Sequence, residues 1–392
     1  MNNAIEPQSF VAPYLKNVPR SGIRDFFEIL DMRDDVISLS IGEPNFSSPL
    51  PIREAAISAL KQGKTSYTAN LGLLELRQTA TKYLESSFGL SYDPVTECLI
   101  TVGVSEALDL AIRAIIEPGD EVLYHQPCFV SYAPVITFAQ GVPVPVATKS
   151  EDGFRLTRKE LEKHVSPKTK ALLINFPTNP TGAVLNKDDI KDISEFAIEH
   201  NLVVITDEVY SELTYDDERV SVATIPEMRN RTIFMHGLSK AWAMTGFRMG
   251  IACAPQPIIE AMMKIHQYTM MCAPILSQIA AIEALANGND SVREMMNEYN
   301  ARRHYIHEEL NKMGLECSMP KGTFYIFPSV AKFGLSSHDF AMQLLDNESV
   351  ACVPGSAFGP AGEGFLRCSY ATSMEKIKEA MPRMASFVAK LL

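Results

Sequence analysis

Apolar residues recur along the middle of the chain with two different periods, and their alternation predicts an α/β fold. Short continuous apolar runs, typical of strands buried on both faces, lie at 98–102, 121–124, 170–174, 202–206 and 232–236. Helical spacing of apolar residues is found at 50–60, 73–88, 105–116, 187–199 and beyond 256. Because strands that alternate with helices require crossover connections, the pattern predicts a mostly parallel sheet flanked by helices.

The last hundred residues have a different pattern, which predicts a smaller α+β domain. A long helical stretch at 290–313 precedes strands near 323–327, 350–353 and 365–370, with helices near 337–346 and 374–391. We expect the first forty-odd residues to complete this domain. The predicted division is a large domain over 46–288 and a small domain made of 1–45 and 289–392.

Composition and charge indicate which binding partners and which cellular compartment are expected. The 392 residues carry 36 Lys and Arg against 47 Asp and Glu, a net charge of −11, without a basic cluster, so neither nucleic acid nor an anionic membrane is an expected partner. The seven cysteines are scattered without metal-site spacing, which predicts no metal and favours a reducing compartment. The N-terminus has no secretory pattern, and no apolar run approaches the ~20 residues that span a bilayer. We expect a cytoplasmic protein.

Polar residues follow the predicted strands at their carboxyl ends, where ligands bind in open α/β sheets. Gly103 precedes a helix, and this arrangement is either a phosphate site or a tight turn. Asn179 lies in a loop rich in turn residues, which is either a stiff connection or a means of directing its amide into the crevice. Asp207 ends an apolar strand, where it either meets a cationic partner or caps the next helix.

Lys240 is the most informative of these residues. Small and apolar residues surround it, and apart from His236 the only other charge nearby is Arg248. A lysine that is desolvated in this way has a lowered pKa and becomes a nucleophilic amine, which Schiff-base chemistry requires. Together the loops offer a phosphate cradle, an amide, a carboxylate, a phenol, a lysine and an arginine. Pyridoxal 5′-phosphate (PLP) uses all of these groups, so we expect it as the cofactor.

The chain resembles the fold-type I, class I aminotransferases over nearly its whole length. The motifs that carry the resemblance stand in the family's order and spacing: IGEPNF, SYTANLGLLELR, NFPTNPTG, TDEVY, SKAWAMTGFRMG, GTFYIFP, VPGSAFG and FLRCSYATS. The sequence as a whole resembles a bacterial branch of the family that includes alanine, aromatic and N-acetyl-diaminopimelate aminotransferases. The resemblance implies the large PLP-binding domain of fold type I, ping-pong transfer of an amino group from an L-amino acid to a 2-oxo acid, and a homodimer.

The resemblance also implies roles for individual residues. Lys240 would hold the cofactor covalently and then shuttle a proton, Asp207 would pair with the pyridine nitrogen, and these two are expected to be catalytic together with Tyr210. Tyr210 and Asn179 would hydrogen-bond the ring's phenolic oxygen. The expected phosphate contacts are Val104, Ser105, Arg248 and, from the neighbouring subunit, Tyr67.

Substrate binding is expected from three residues. Arg367 would clamp the substrate α-carboxylate with the Gly42 backbone beside it, and Asn179 would assist. Phe129 would stack on the cofactor ring, although Phe129 and Tyr67 are alternatively core or surface aromatics, and Arg367 alternatively forms a surface ion pair.

Two positions depart from the family pattern. Gly237 stands where many relatives carry Ser or Thr, which leaves open whether Ser239 replaces a phosphate contact, and Asn45 stands where Asp is usual. Dicarboxylate-specific relatives often add a second arginine from the partner subunit near the position of Tyr268, and no arginine is present there, so neutral, aromatic or N-acetyl-diaminopimelate-type substrates are favoured. Met270 and Met271 either line an adaptable apolar wall or belong to the core. A PLP-dependent carbon–sulfur β-lyase and a non-enzymatic binding protein are the alternatives.

Overall fold

The structure is a computed structural model that describes residues 7–18, 20, 33 and 35–392. Its strands are β1 (Ile37–Ser38), β2 (Cys98–Val102), β3 (Glu121–Gln126), β4 (Val142–Ala147), β5 (Thr169–Asn175), β6 (Val203–Asp207), β7 (Thr232–Gly237), β8 (Met249–Cys253), β9 (Tyr325–Ile326), β10 (Val350–Ala351), β11 (Val353–Pro354) and β12 (Leu366–Ser369). Its α-helices are α1 (Leu50–Lys61), α2 (Leu74–Phe88), α3 (Gly103–Ile115), α4 (Tyr132–Phe138), α5 (Arg158–Leu161), α6 (Lys187–Glu199), α7 (Gln256–Thr269), α8 (Ile275–Asn287), α9 (Asn289–Lys312), α10 (Ser337–Glu348) and α11 (Met374–Leu391).

A seven-stranded sheet with the order β2-β8-β7-β6-β5-β3-β4 forms the centre of the larger part. Strands β4, β3, β5, β6 and β7 are parallel, whereas β8 runs antiparallel to both β2 and β7. The prediction of a mostly parallel sheet flanked by helices is confirmed. All five predicted apolar runs are strands of this sheet.

The sequence pattern does not predict β4 and β8. In β4 the prolines Pro143 and Pro145 interrupt the apolar run, and the structure tolerates them because β4 is an edge strand that has only one neighbour. Strand β8 begins directly after Arg248 and is wholly buried. Its antiparallel insertion is a long-range pairing that local periodicity does not encode.

Local signals account well for several helix ends. Helix α1 has Pro51 in its first turn, and α2 stops at Gly89, whose φ of 70° is the left-handed conformation that glycine adopts readily. Helix α6 begins with a capping box in which Asn186 and Asp189 bond each other's backbone N–H groups. These ends agree with the predicted ones within two residues.

The smaller part contains a three-stranded antiparallel sheet with the order β11-β12-β9 and a two-stranded parallel pair of β1 and β10. Buried apolar residues of α9, α10 and α11 form one core with these strands. Ile37 pairs with Val350, so the chain before the large sheet joins this region. The division at 45/46 and 288/289 stays a prediction, and residues 1–6, 19, 21–32 and 34 of its first segment lie outside the described part.

Candidate active site

The loops after β2, β5, β6 and β7 meet the smaller part around a cavity of about 410 Å³. Parallel strands place their carboxyl ends at one edge, so residues far apart in sequence converge there. The cavity is lined by Ile41, Gly42, Glu43, Val104, Ser105, Leu108, Phe129, Tyr132, Asn175, Asn179, Asp207, Val209, Tyr210, Ser239, Lys240, Thr245, Arg248, Tyr325 and Arg367. Every sequence-predicted site residue except Tyr67 is among them.

Lys240 lies in the loop after β7 and projects its amine into this cavity. Its Nζ donates a hydrogen bond to the Gly42 carbonyl at 2.7 Å. Burial and the positive charges of Arg367 and Arg248 lower the pKa of Lys240 to about 8. The unprotonated, nucleophilic form of this amine is therefore much more populated near neutral pH than it is for an ordinary lysine.

Asp207 ends β6 at the floor of the cavity. The Tyr132 hydroxyl donates to its Oδ2 at 2.9 Å, and the Val209 backbone N–H donates to its Oδ1 at 3.3 Å. Burial raises the pKa of Asp207 to about 6, while the two hydrogen bonds oppose that rise. The carboxylate is thus mainly ionised at pH 7 and above, held by hydrogen bonds in a position where a cationic partner would stabilise it.

The N-terminus of α3 and Arg248 form an anion cradle. Gly103 has a φ of 75°, and a Cβ there would lie 2.6 Å from Arg248 Nη2, so the guanidinium packs on the bare glycine backbone. Val104 and Ser105 are in the first turn of α3, where unpaired N–H groups and the helix dipole favour a phosphate. Ser239 lies on the cavity wall as well.

Arg367 is buried at the opposite end of the cavity. Its Nη1 donates to Asn179 Oδ1 at 3.0 Å and its Nη2 donates to the Ser40 carbonyl at 2.6 Å. The guanidinium lies 4.4 Å from the centre of the Tyr325 ring, a cation–π contact. The surface ion-pair interpretation of Arg367 therefore does not apply, since the side chain is 2% exposed and its hydrogen bonds go to an amide oxygen and a backbone carbonyl.

The Arg367 contact also orients Asn179. Because Asn179 Oδ1 accepts from Arg367, its side-chain NH₂ is the group left to donate into the cavity. Tyr210 is oriented in a comparable way, with its hydroxyl 3.1 Å from the Tyr325 hydroxyl. Burial raises the pKa of Tyr210 well above its usual range, so this phenol stays protonated.

Two expected contacts have a different arrangement. Tyr67 is 81% exposed and does not line the cavity of its own chain. Gly237 has no room for a side chain, because a Cβ there would lie 2.6 Å from Val104 Cγ2. The Val104 side chain therefore occupies the space that a side chain at position 237 would need.

Three cavity residues that bond to predicted site residues were not themselves predicted from the sequence. Tyr132 donates to Asp207 but stands at the start of a short helix. Asn175 ends β5 and is the first residue of the NFPTNPTG motif, so the motif could have indicated it. Tyr325 is within the GTFYIFP motif, so the motif alone could have indicated it. The contacts of the other two depend on the packing of separate strands.

The described part of the chain contains no group of three or more His, Cys, Asp or Glu side chains placed to hold a metal ion. Within the same described ranges, no helix combines the length and apolar character needed to cross a bilayer.

Comparisons with known proteins identify the family of the chain. The family model described as "Aminotransferase class I and II" matches residues 34–384. The chain is 45% identical to Aromatic-amino-acid aminotransferase 2 of Thermococcus litoralis, over 94% of this chain and 96% of the relative. It is 47% identical to an aspartate aminotransferase of Pyrococcus abyssi, over 93% of this chain and 94% of the relative.

A solved structure, the aromatic aminotransferase from Pyrococcus horikoshii OT3, superposes with a TM-score of 0.90 at 46% identity, covering 94% of this chain and 100% of that one. A family match over most of the chain, a shared fold and relatives that transfer amino groups all point the same way. The chain is a member of the class I and II aminotransferases, enzymes that transfer amino groups.

Proposed function

We propose that the enzyme transfers the amino group of a neutral or aromatic L-amino acid to a 2-oxo acid by a ping-pong mechanism, with PLP held at Lys240. One observation carries the proposal. A single cavity holds an amine of lowered pKa, a buried carboxylate and a buried guanidinium, on Lys240, Asp207 and Arg367.

The cavity residues fit PLP, the cofactor that the family uses. The packing of Arg248 on Gly103 at the start of α3 leaves a positively charged recess for a phosphate. Asp207 supplies an anion for a pyridinium nitrogen, and Lys240 an amine for an aldehyde. Bound PLP supplies an aldehyde that condenses with amines and a protonated ring that withdraws electrons from the substrate α-carbon.

The residues around the cavity have separate roles in the proposed reaction. Lys240 would hold the cofactor through its Nζ, and as a free amine the same Nζ would carry the proton to and from the substrate α-carbon. Asp207 keeps the ring nitrogen protonated, since its carboxylate is ionised above a pKa of about 6. The Tyr210 hydroxyl and the Asn179 amide donate to the phenolic oxygen.

The remaining predicted residues bind and orient. Val104 and Ser105 offer N–H groups to the phosphate beside Arg248, and Phe129, half-buried in the cavity wall, covers the ring. At the other end Arg367 and the Gly42 backbone take the substrate α-carboxylate.

The preference for neutral and aromatic side chains rests on the cavity lining. Its cations are Lys240, Arg248 and Arg367, all of which have roles in the proposal, so the described lining of one chain leaves none for a second substrate carboxylate. A partner copy would bring the segment around Tyr268, whose sequence KIHQYTMMCAP contains no arginine. Apolar lining residues include Ile41, Leu108, Phe129 and Val209. Relatives are named for both aromatic and aspartate substrates, and the lining favours the former. An N-acetyl-diaminopimelate-type substrate, which has a second carboxylate, belongs to the proposed range because a relative that is 43% identical over 96% of this chain is named for it, and not because of the lining.

We also propose a cytoplasmic homodimer in which Tyr67 reaches the phosphate of the partner subunit. Tyr67, Tyr268, Met270 and Met271 are exposed apolar side chains, and Asn70 Nδ2 donates to the Met271 carbonyl at 2.7 Å, which ties the two loops together. Exposed apolar clusters of this kind are typical of interfaces. The seven cysteines are all free, which suits a reducing compartment.

The proposal is tested by a half-reaction without an acceptor. The PLP-loaded enzyme is titrated separately with alanine, phenylalanine, tyrosine, methionine, N-acetyl-diaminopimelate, aspartate and glutamate, while absorbance follows conversion of the cofactor to its aminated form. We expect stoichiometric conversion and one equivalent of 2-oxo acid with a neutral or aromatic donor, and none with Lys240→Ala. Conversion by aspartate or glutamate alone would contradict the substrate assignment, and catalytic release of pyruvate and ammonia from a cysteine-type substrate would identify a lyase.

A further inference from the structure

Asn175, at the carboxyl end of β5, is hydrogen-bonded to both halves of the proposed active site. Its Nδ2 donates to the Asp207 carbonyl at 2.7 Å, and its Oδ1 accepts from the Asn179 backbone N–H at 3.3 Å. Asn175 is 1% exposed, and its register partner in the sheet is Asp207. One amide therefore connects the residue beneath the cofactor nitrogen with the loop beside the substrate carboxylate.

The loop contact continues to Arg367. Asn179 Oδ1 accepts from Arg367 Nη1 at 3.0 Å, so a shift of the Asn179 backbone moves the acceptor that orients the guanidinium. The hydrogen bond from Asn175 Nδ2 holds the backbone of Asp207, whose carboxylate accepts a hydrogen bond from the Tyr132 hydroxyl.

His125 holds the backbone of Asn175. The Asn175 backbone N–H donates to His125 Nε2 at 3.2 Å, which requires that nitrogen to be unprotonated. His125 is fully buried, packs against the Phe176 ring and has its pKa lowered to about 4 by burial, so it stays a neutral acceptor throughout the working pH range. The segment is therefore held by three hydrogen bonds at one residue.

We propose that Asn175 is a positioning residue that sets two properties separately: its donor side places Asp207 for the cofactor, and its acceptor side places Asn179 and Arg367 for the substrate carboxylate. The inference rests on the roles proposed above for Asp207 and Arg367. Asn175 lines the cavity but acts through these neighbours.

Two nearly isosteric substitutions separate the two sides. Asn175→Asp keeps an oxygen that accepts from Asn179 but replaces the donor to the Asp207 carbonyl by a repelling oxygen. Asn175→Leu keeps the volume and removes both hydrogen bonds. Losing a buried hydrogen bond and leaving its partner unpaired corresponds to an effect of about tenfold or more.

The measurements are the Kd of apoenzyme for PLP by absorbance titration, the pH midpoint of the bound cofactor's absorbance band, and KM for the best amino donor. For Asn175→Asp we expect the Kd to rise about tenfold and the pH midpoint to move, with KM within about threefold of the unmodified enzyme. For Asn175→Leu we expect both Kd and KM to rise about tenfold. If Asn175→Leu does not fold, Asn175→Ala takes its place, because alanine also removes both bonds.

Thr178→Val is the matched control, since Thr178 lies in the same loop, is 1% exposed and has a hydroxyl without a hydrogen-bond partner among the described residues. It should leave Kd, KM and the pH midpoint unchanged. The inference is wrong if Asn175→Asp raises KM as much as Asn175→Leu does, or if Asn175→Leu changes neither constant by more than twofold. Asp207→Asn and Arg367→Leu are measured in parallel: if these leave Kd and KM unchanged, the roles in the proposed function are wrong instead.

Discussion

The packing of Val104 against Gly237 gives a sharp test of how this chain builds its phosphate recess. A Cβ at position 237 would lie 2.6 Å from Val104 Cγ2 and 3.2 Å from the Met249 carbonyl oxygen. Carbon atoms normally approach to about 3.5–4.0 Å, so Gly237→Ser forces an overlap of about 1 Å. Overpacking of this kind costs ~1–3 kcal/mol, and we expect the free energy of unfolding to fall by that amount.

Val104→Ala removes the methyl groups that cause the clash. Val104 is half-buried, so its truncation alone costs about 1 kcal/mol. If the clash is the reason for the first effect, the double variant loses less stability than the two single variants together. We expect a coupling free energy of about 1–2 kcal/mol, reduced because the Met249 carbonyl also crowds the site.

The assay is guanidinium unfolding of the apoenzyme for the two single variants and the double variant. Gly246→Ser is the matched control, because Gly246 lies in the same segment and a Cβ there meets nothing within 4 Å. We expect this control to change the free energy of unfolding by less than about 0.5 kcal/mol. Additive effects in the double variant, or an equal loss of stability in the Gly246 control, would refute the explanation.

Three further results are expected. Asn45 Oδ1 accepts from buried Arg302 Nη1 at 2.8 Å, so Asn45→Asp should place a negative charge beside this guanidinium and raise the free energy of unfolding by about 1 kcal/mol at low salt. Urea titrations at two ionic strengths measure this gain, and a gain that does not shrink with salt would contradict the explanation. Tyr67→Ala should weaken the enzyme and Lys240→Ala should inactivate it, and mixing the two should raise activity above that of either variant alone if Tyr67 acts across a dimer. No gain after subunit exchange would show that it does not. The pKa of Asp207 is raised from 3.8 to about 6 in the folded state, so ionising this carboxyl lowers the free energy of unfolding as pH rises through that window. Asp207→Asn removes this loss, and the variant should therefore gain stability over the unmodified apoenzyme above pH 6 compared with pH 4. A difference in urea midpoint between the two proteins that does not change with pH would argue against this.

Much of the large sheet could be predicted because its information is local. Continuous apolar runs at β2, β3, β5, β6 and β7 identify strands buried on both faces, and glycine and proline mark several helix ends. The same locality explains what was missed, since β4 carries prolines that only an edge position tolerates and β8 depends on an antiparallel pairing.

The sequence by itself determined which chemical groups are available: the lysine after β7, the carboxylate after β6, the glycine before α3 and the arginine on β12 all stand in motifs that can be read in order. Only the tertiary structure decided how these groups affect one another, because burial and long-range contacts set the lowered pKa of Lys240 and the raised pKa of Asp207. The contacts made by Asn175 and Tyr132, and the exclusion of any side chain at Gly237, likewise arise where separate strands and helices meet. Local periodicity carries no information about such contacts, and they determine the geometry of the site.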